Sequence, residues 1–272
     1  MSKGLLDPKV DFVFKNIFGS PNHPEILISF LNATLKAKKK IVNVDIKKTD
    51  IEKQYIEDKY SRLDVKATTS NDEIINIEIQ LKNENNMVKR SLYYLSKMYE
   101  EQLNEKEDYS KLVRTVCINI LNFKYLKTDN FHTGYRFKEI ESNEELTDIM
   151  EVHFIEIPKL QDSSDEKDML VAWTEFLKDP ESEKVRGLEL SIEEIRQAKD
   201  ELIRMSNDST QRELYDMRAN SLRDKMSELN AAERKGIEKG REEGRKEEKI
   251  KIARNMKLSG LDTNTIAKIT NL

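Results

Sequence analysis

Acidic and nitrogen-bearing side chains recur at two-residue spacing in two short segments of this chain. Because residues two apart in a strand share a face, each segment places three polar residues on one side. These residues are Arg62, Asp64 and Lys66 in the first segment, and Glu78, Gln80 and Lys82 in the second. The turn-like residues SNDE between the segments favour an antiparallel hairpin, which would bring Asp64 and Glu78 close together. Two neighbouring carboxylates strongly favour a divalent cation.

The chemistry that such a pair of carboxylates supports is phosphodiester hydrolysis. Magnesium held by one or two carboxylates keeps several water molecules and accepts a phosphate oxygen. It lowers the pKa of an attacking water and stabilises negative charge on the phosphate. The alternative is that Asp64 and Glu78 are solvated residues on the polar face of a hairpin, which alternation alone produces. Spacing by itself favours this alternative, so the context of the two segments decides.

The elements that must position these residues follow from periodicity and turn residues. Pro24 and apolar residues at helical spacing predict a helix over about residues 23–36. Three strands follow, in IVNVDIKK, RLDVKATT and IINIEIQLK, the last two as a hairpin. An apolar stripe then predicts a helix over residues 87–103, and VRTVCINILNF reads as a buried strand. A hairpin and a βαβ crossover can join these elements in one mixed sheet.

Strand patterns weaken after this point and then end. EVHFIEIPKL predicts one more strand, closed by Pro158, and FHTGYRFKEI predicts an irregular extended piece. Beyond Asp165 the pattern is helical, in DEKDMLVAWTEFLKD, SIEEIRQAKDELIRM and STQRELYDMRANSLRDKMSEL. We therefore predict an α/β fold, with a mixed central sheet flanked by helices and an all-helical C-terminal region.

Composition excludes several classes of protein. The 47 basic and 51 acidic residues give a net charge of −4, which argues against coating nucleic acid by bulk electrostatics. No apolar run approaches the ~20 residues that a membrane span needs, and the start lacks a secretory signal, so we expect a cytoplasmic protein without a membrane partner. Cys117 alone allows no internal disulfide, and three scattered histidines show no zinc spacing. Hard-metal chemistry through carboxylates remains.

Several ordered segments together resemble a known nuclease family. They are DPKVDFVFKNIFG, RLDV, NIEIQ, KRSLYYLSKMYEEQL, LVRTVCINILNF and EVHFIEIPKL, spanning roughly residues 7–160. In these segments the chain resembles the PD-(D/E)XK nuclease superfamily, specifically the Rpn-type recombination-promoting nucleases often labelled transposases. The resemblance implies a restriction-endonuclease-like core, and the derived order of helices and strands is the one this superfamily uses.

The resemblance also implies roles for individual residues. Asp64 and Glu78 would bind the metal, helped by the main-chain carbonyl of Ile79. Gln80 stands where the superfamily name requires lysine. An amide cannot act as a cationic base, but it can orient the attacking water by hydrogen bonds. The implied cofactor is Mg²⁺, with Mn²⁺ as the alternative, and no organic cofactor is expected.

Three charged residues near the predicted site have two interpretations each. Lys82 shares a face with Gln80 and could supply the missing charge, or it is a solvated strand end. Asp11 and Lys15 lie one helical turn apart, so either could reach the metal or the phosphate. A structural salt bridge near the N-terminus is the alternative for both.

Arg90 and Tyr94 lie four residues apart on the predicted helix after Gln80 and so share its surface. This spacing suits a phosphate clamp and a base-stacking ring. The alternative is that Tyr93 and Tyr94 are core aromatics with polar tips.

The C-terminal tail carries its own pattern. Residues 229–258 hold ten basic and six acidic side chains, and Gly236, Gly240 and Gly244 recur every four residues. On a helix these glycines form one stripe, typical of close approach by another backbone; a disordered charged linker is the alternative. SGLDTNTIAKITNL then predicts a glycine turn and a helix capped near Asp262 or Thr263. This resembles the start of a helix-turn-helix, or a small self-association module.

These observations lead to one function and one rival. The predicted protein is a Mg²⁺-dependent DNA endonuclease, which the family resemblance links to recombination, mobile DNA or defence. The rival is a catalytically inactive nuclease fold that binds DNA or protein as a scaffold. We predict a nuclease-like domain over residues 1–160, a helical region over 161–228 packed on or extending from it, and a charged helical tail over 229–272. The expected partners are DNA and a second copy of the chain, bound through the C-terminal helices.

Overall fold

The computed structural model describes residues 4–36, 39–47, 65–165 and 167–271. Two helices come first, α1 (Asp11–Phe18) and α2 (Pro24–Leu35). The helix predicted over about residues 23–36 is confirmed as α2, with Pro24 in its first turn, where a missing amide costs nothing. Between the helices, a Cβ at Gly19 would lie 2.6 Å from the carbonyl oxygen of Lys15, so only glycine fits at this helix end.

A six-stranded mixed sheet forms the centre of the fold. Its strands are β1 (Val44–Lys47), β2 (Val65–Thr69), β3 (Ile74–Gln80), β4 (Thr115–Leu121), β5 (His132–Lys138) and β6 (Glu145–Glu156). They lie in the order β1-β2-β3-β4-β6-β5. β3, β4 and β6 are parallel, whereas β1, β2 and β5 join their neighbours antiparallel. The predicted mixed sheet and the β2–β3 hairpin are confirmed.

Helix α3 (Met87–Glu100) crosses between β3 and β4 and covers one face of the sheet. Its buried residues share a core with one face of β4 and β6. This core contains Met87, Leu95, Cys117, Leu121, Val152 and Phe154. Asn76 pairs with Cys117 in register, so the even-numbered residues of β3 also face α3. The odd-numbered isoleucines of β3 are buried on the other face, where α1 packs.

The helical region continues with α4 (Met169–Lys178), α5 (Glu183–Glu189) and α6 (Glu193–Asn207). α4 and α6 pack against α2. Trp173 of α4 is fully buried and contacts Phe18 edge to face, with the two ring centres 5.3 Å apart. The sequence pattern did not predict α5. This helix is short, contains Gly187 and buries only Val185 and Leu188, which leaves too few apolar residues for a periodic signal.

The last two helices are α7 (Ser209–Leu258) and α8 (Thr263–Thr270). The charged stretch after residue 230 is thus helical, as the first of the two interpretations of the tail required. The Asp262 cap is also confirmed, since its side chain accepts a hydrogen bond from the amide of Thr265 at 3.0 Å.

The chain divides into two compact units, residues 1–218 and 219–272. The predicted boundary between residues 160 and 161 lies inside the first unit, and the predicted start of the tail at 229 lies inside the second. Of the helices in the described ranges, none combines the length and apolar character that a membrane span requires.

Candidate active site

The centre of β3 carries a buried carboxylate. Glu78 is 1% exposed and pairs in register with Asn119 of β4 on the face that α3 covers. One of its oxygens, Oε2, accepts a hydrogen bond from Nε of Arg90 at 3.1 Å. Its other oxygen, Oε1, is buried and has no hydrogen-bond partner among the described residues. Glu78 therefore presents one satisfied oxygen and one that lacks a partner.

Arg90 is held over Glu78 by the first turns of α3. Its guanidinium lies 5.2 Å from the centre of the Tyr94 ring, one turn later on the same helix. The neighbouring Ser91 hydroxyl donates a hydrogen bond to Oδ1 of Asn119 at 2.9 Å, which links α3 to β4 beside Glu78. The position of Arg90 thus follows from the packing of α3 on the sheet.

Burial and charge pairing shift the pKa values of Glu78 and Arg90 in opposite directions. Burial raises the pKa of Glu78 above its ordinary value, while the charge and hydrogen bond of Arg90 act to lower it. The amide of Asn76, two residues earlier on the same face, acts in the same direction as Arg90. For Arg90, burial lowers the pKa, but the Glu78 carboxylate outweighs it and the pKa is raised. Each partner stabilises the charged form of the other.

The remaining residues predicted for the centre of the site stand as follows. Asp64 lies outside the described residues. In β2, Lys66 pairs with Asn76, so its side chain shares the face of Glu78. Gln80 is the last residue of β3 and is half-buried, and its main-chain carbonyl accepts a hydrogen bond from the amide of Asn122 at 2.9 Å. The side chain of Ile79 is buried on the opposite face, and Lys82 is half-buried just after the strand.

The predicted accessory residues have structural contacts. Asp11 forms an ion pair with Arg218 of α7 at 3.0 Å, in keeping with a salt bridge, although its partner lies far along the chain. Lys15 is half-buried on α1. Tyr94 is 3% exposed, so its ring is not open to stacking by a base, whereas Tyr93 is 51% exposed. Arg90 contacts Glu78, a pairing that helical spacing alone does not reveal.

A second polar cluster lies on the other side of the sheet, at β5 and β6. His132 Nε2 lies 2.9 Å from His153 Nδ1, and His153 Nε2 lies 2.7 Å from Glu151 Oε1. Burial, followed by the charge of His153, lowers the pKa of His132 to about 4. Burial acts to raise the pKa of Glu151, but hydrogen bonds from His153 and Arg114 outweigh it and lower this pKa to about 2.

The sequence pattern gave no sign of this cluster, because its two histidines come from different strands. Antiparallel pairing places Gly134 opposite His153, and a Cβ at Gly134 would lie 3.1 Å from the imidazole. Any larger residue at this position would require the His153 ring to shift by a few tenths of an ångström. Across the part of the chain that the structure describes, no three His, Cys, Asp or Glu residues are grouped to hold a metal ion.

Comparison with known proteins gives one match. A family model described as PD-(D/E)XK nuclease family transposase matches residues 8–232. The match covers the whole sheet, helices α1 to α6 and the first part of α7. No curated protein and no solved structure matches the chain.

Proposed function

Because the chain belongs to the PD-(D/E)XK nuclease family transposases, we propose that it is a magnesium-dependent DNA endonuclease with Asp64 and Glu78 as metal ligands. Family membership indicates a nuclease-type function; the metal, the substrate and the residues are the proposal. The observation that carries it is the buried Oε1 of Glu78, which has no partner among the described residues. A buried carboxylate oxygen without a partner costs free energy that a bound cation would recover.

The residues present fit a hard divalent cation. Mg²⁺ and Mn²⁺ prefer oxygen ligands, and Glu78 offers one oxygen because Arg90 occupies the other. Asp64 is proposed as the second ligand from the sequence alternation, because it lies two residues before Lys66. Since Lys66 pairs with Asn76, the even-numbered residues of both strands share the face of Glu78. The main-chain carbonyl of Ile79 completes the proposed set.

In the proposed mechanism, the chain positions the reactants. Metal bound by Asp64 and Glu78 would lower the pKa of the attacking water and stabilise charge on the phosphate. Gln80, half-buried at the end of β3, orients that water through its side-chain amide. Glutamine cannot take up the proton as a base, so the proton passes to solvent or to the substrate. Lys82 is the proposed contact for the phosphate.

Nicking of supercoiled plasmid tests this proposal. With Mg²⁺, we expect the isosteric variants Glu78→Gln and Asp64→Asn to cut at least about 100-fold more slowly, because loss of a metal ligand removes several kcal/mol of transition-state stabilisation. Glu193→Gln, at a surface ion pair on α6, is the matched control and should cut normally. Equal nicking by wild type and Glu78→Gln would remove Glu78 from the mechanism.

A second candidate function is a nuclease fold that binds DNA without cutting it. Two observations favour it: Gln80 replaces the lysine, and Arg90 already neutralises Glu78. DNA binding in Ca²⁺ combined with no cleavage in Mg²⁺ or Mn²⁺ would support this scaffold. Cleavage in either catalytic metal would exclude it.

Self-association through the C-terminal helices and a cytoplasmic location are further parts of the proposal. The second unit supports self-association, because most of its helical surface is exposed and its glycine stripe leaves room for a neighbour. A role in recombination, mobile DNA or defence rests on the family description.

A further inference from the structure

We propose that Arg90 is a positioning residue of the candidate site, which holds Glu78 as a one-oxygen metal ligand. This inference rests on the proposed function. It assigns Arg90 to the carboxylate, whereas its spacing on α3 suggested a contact with phosphate.

The geometry of the pair carries the proposal. Nε of Arg90 donates to Oε2 of Glu78 at 3.1 Å, and the side chains are 19% and 1% exposed. Since Oε2 is engaged, the carboxylate cannot swing to present both oxygens to an ion without losing this bond. Oε1 is the one oxygen left to bind a metal ion, and it has no hydrogen-bond partner among the described residues. The carboxylate is therefore fixed in orientation before any ligand binds.

Arg90 is restrained by one direct contact and by the packing of the helix that carries it. Tyr94, which is buried, lies beneath the guanidinium. Ser91 fixes the rotation of α3 against β4 through Asn119, which pairs with Glu78 in register. Met87 is buried one turn earlier, in the core beneath α3. A side chain held in this way suits orientation of a neighbour better than capture of a mobile phosphate.

Stability alone does not account for this pair. Burying an ion pair costs desolvation that its attraction rarely exceeds, so apolar residues of similar volume often serve a fold equally well. Groups that orient metal ligands, by contrast, typically contribute 10- to 100-fold to metal affinity. A pair with one oxygen satisfied and the other unpartnered is the arrangement expected of such a group.

Binding of Mn²⁺ alone, followed by electron paramagnetic resonance, tests the proposal without turnover. We expect Arg90→Gln to bind Mn²⁺ roughly 10- to 100-fold more weakly than wild type. Arg90→Lys should recover only part of the loss, because an ammonium supplies the charge without the planar Nε–H geometry. The surface pair Glu193–Arg196 provides the matched controls, Arg196→Gln and Arg196→Lys, which should bind as wild type does.

Arg90→Lys is the deciding variant, because it keeps a positive charge beside the buried carboxylate. Wild-type affinity in Arg90→Lys would overturn the proposal, and tighter binding in either Arg90 variant would show that Arg90 competes with the cation. A kinetic readout is independent: positioning predicts a lower kcat with an unchanged KM for plasmid. A raised KM with an unchanged kcat would instead assign Arg90 to the phosphate.

Glu78→Gln separates failure of this inference from failure of the proposed function. If wild type binds Mn²⁺, Glu78→Gln does not and both Arg90 variants bind normally, only the role of Arg90 is wrong. If wild type and Glu78→Gln both fail to bind, or bind equally, the metal site and the inference fail together.

Discussion

Two buried glutamates in the same sheet have pKa values shifted in opposite directions. Glu78 meets one arginine and keeps an oxygen without a partner, so burial dominates and its pKa is raised. Glu151 contacts His153, Arg114 and Arg136, and the hydrogen bonds from His153 and Arg114 lower its pKa to about 2 despite burial. Glu78 is buried more deeply than Glu151 and has fewer hydrogen-bond donors, and both differences favour a higher pKa for Glu78. A fully satisfied acid is typical of structure, and an under-satisfied one is typical of a site awaiting a ligand.

His132 should make the fold sensitive to acid. Its pKa is about 4 in the folded protein and about 6.5 when unfolded, so protonation favours the unfolded chain. Stability from this residue is therefore present above pH 6.5 and lost as pH falls towards 4. From pH 7 to pH 5, wild type should lose on the order of 1 to 2 kcal/mol more unfolding free energy than His132→Gln. Urea unfolding at both pH values, followed by Trp173 fluorescence, measures this difference.

Four neighbouring charged or titratable groups also influence the pKa of His132. They are His153 and Glu151 on β6, Lys36 after α2, and Asp168 before α4. His23→Gln is the control, since the ring of His23 is 41% exposed and lies outside this cluster. Parallel loss of stability in wild type and His132→Gln would show that His132 does not carry the effect.

At the scale of elements, strand register explains why the candidate site lies where it does. β3 is buried on both faces, yet its even positions include Asn76 and Glu78 in place of apolar residues. A strand paired on both sides cannot shift by one residue without moving its isoleucines onto the face that α3 covers. The register that buries Ile75, Ile77 and Ile79 therefore also fixes Glu78 beneath α3.

The glycine stripe of α7 permits a test of its role. A Cβ at Gly236, Gly240 or Gly244 would meet no described atom within 4 Å, so alanine fits at each position. Each Gly→Ala change should stabilise the helix by roughly 1 kcal/mol, seen as higher ellipticity and a higher melting temperature of the helical signal. Gly187→Ala on α5, which is equally open, is the matched control.

The oligomeric state of the triple alanine variant then distinguishes the two interpretations of the stripe. Greater helicity with unchanged mass in solution would show that no backbone packs there. Dissociation despite greater helicity would show that a second chain does.

For the molecule as a whole, the candidate site belongs to the first compact unit, and residues 219–272 form the second. Arg212, Tyr215 and Arg218 of α7 bind the N-terminal segment within the first unit. A chain ending at Ala232 keeps these contacts and the whole family match. We expect its Trp173 unfolding transition to shift by less than about 2 °C, because no contact within the first unit is removed.

Self-association should respond differently to the same truncation. If the C-terminal helices hold copies together, the full chain elutes as an oligomer and the chain ending at Ala232 as a monomer in size exclusion with light scattering. An unchanged mass would contradict a role of the tail in assembly. A large drop in the unfolding temperature would contradict the independence of the first unit.

Features of this protein that arise from neighbouring residues could be predicted from the amino-acid sequence. Hydrophobic period and turn residues predicted α2, the β2–β3 hairpin, the buried β4 and the Asp262 cap. Parallel pairing across α3 followed from the order of elements. The position of Glu78 on a polar strand face could likewise be predicted, because the alternation of side chains along a strand depends only on neighbouring residues.

Tertiary structure alone decided which partners these residues have. The sequence suggested Arg90 as a phosphate ligand. In the structure, the packing of α3 on β4 directs the guanidinium of Arg90 onto Glu78. Tyr93 and Tyr94 differ only in their rotation about α3, yet one is exposed and the other buried. Asp11 meets Arg218, and His132 meets His153, across long stretches of chain. Such contacts depend on how helices and strands dock, and periodicity carries no information about docking.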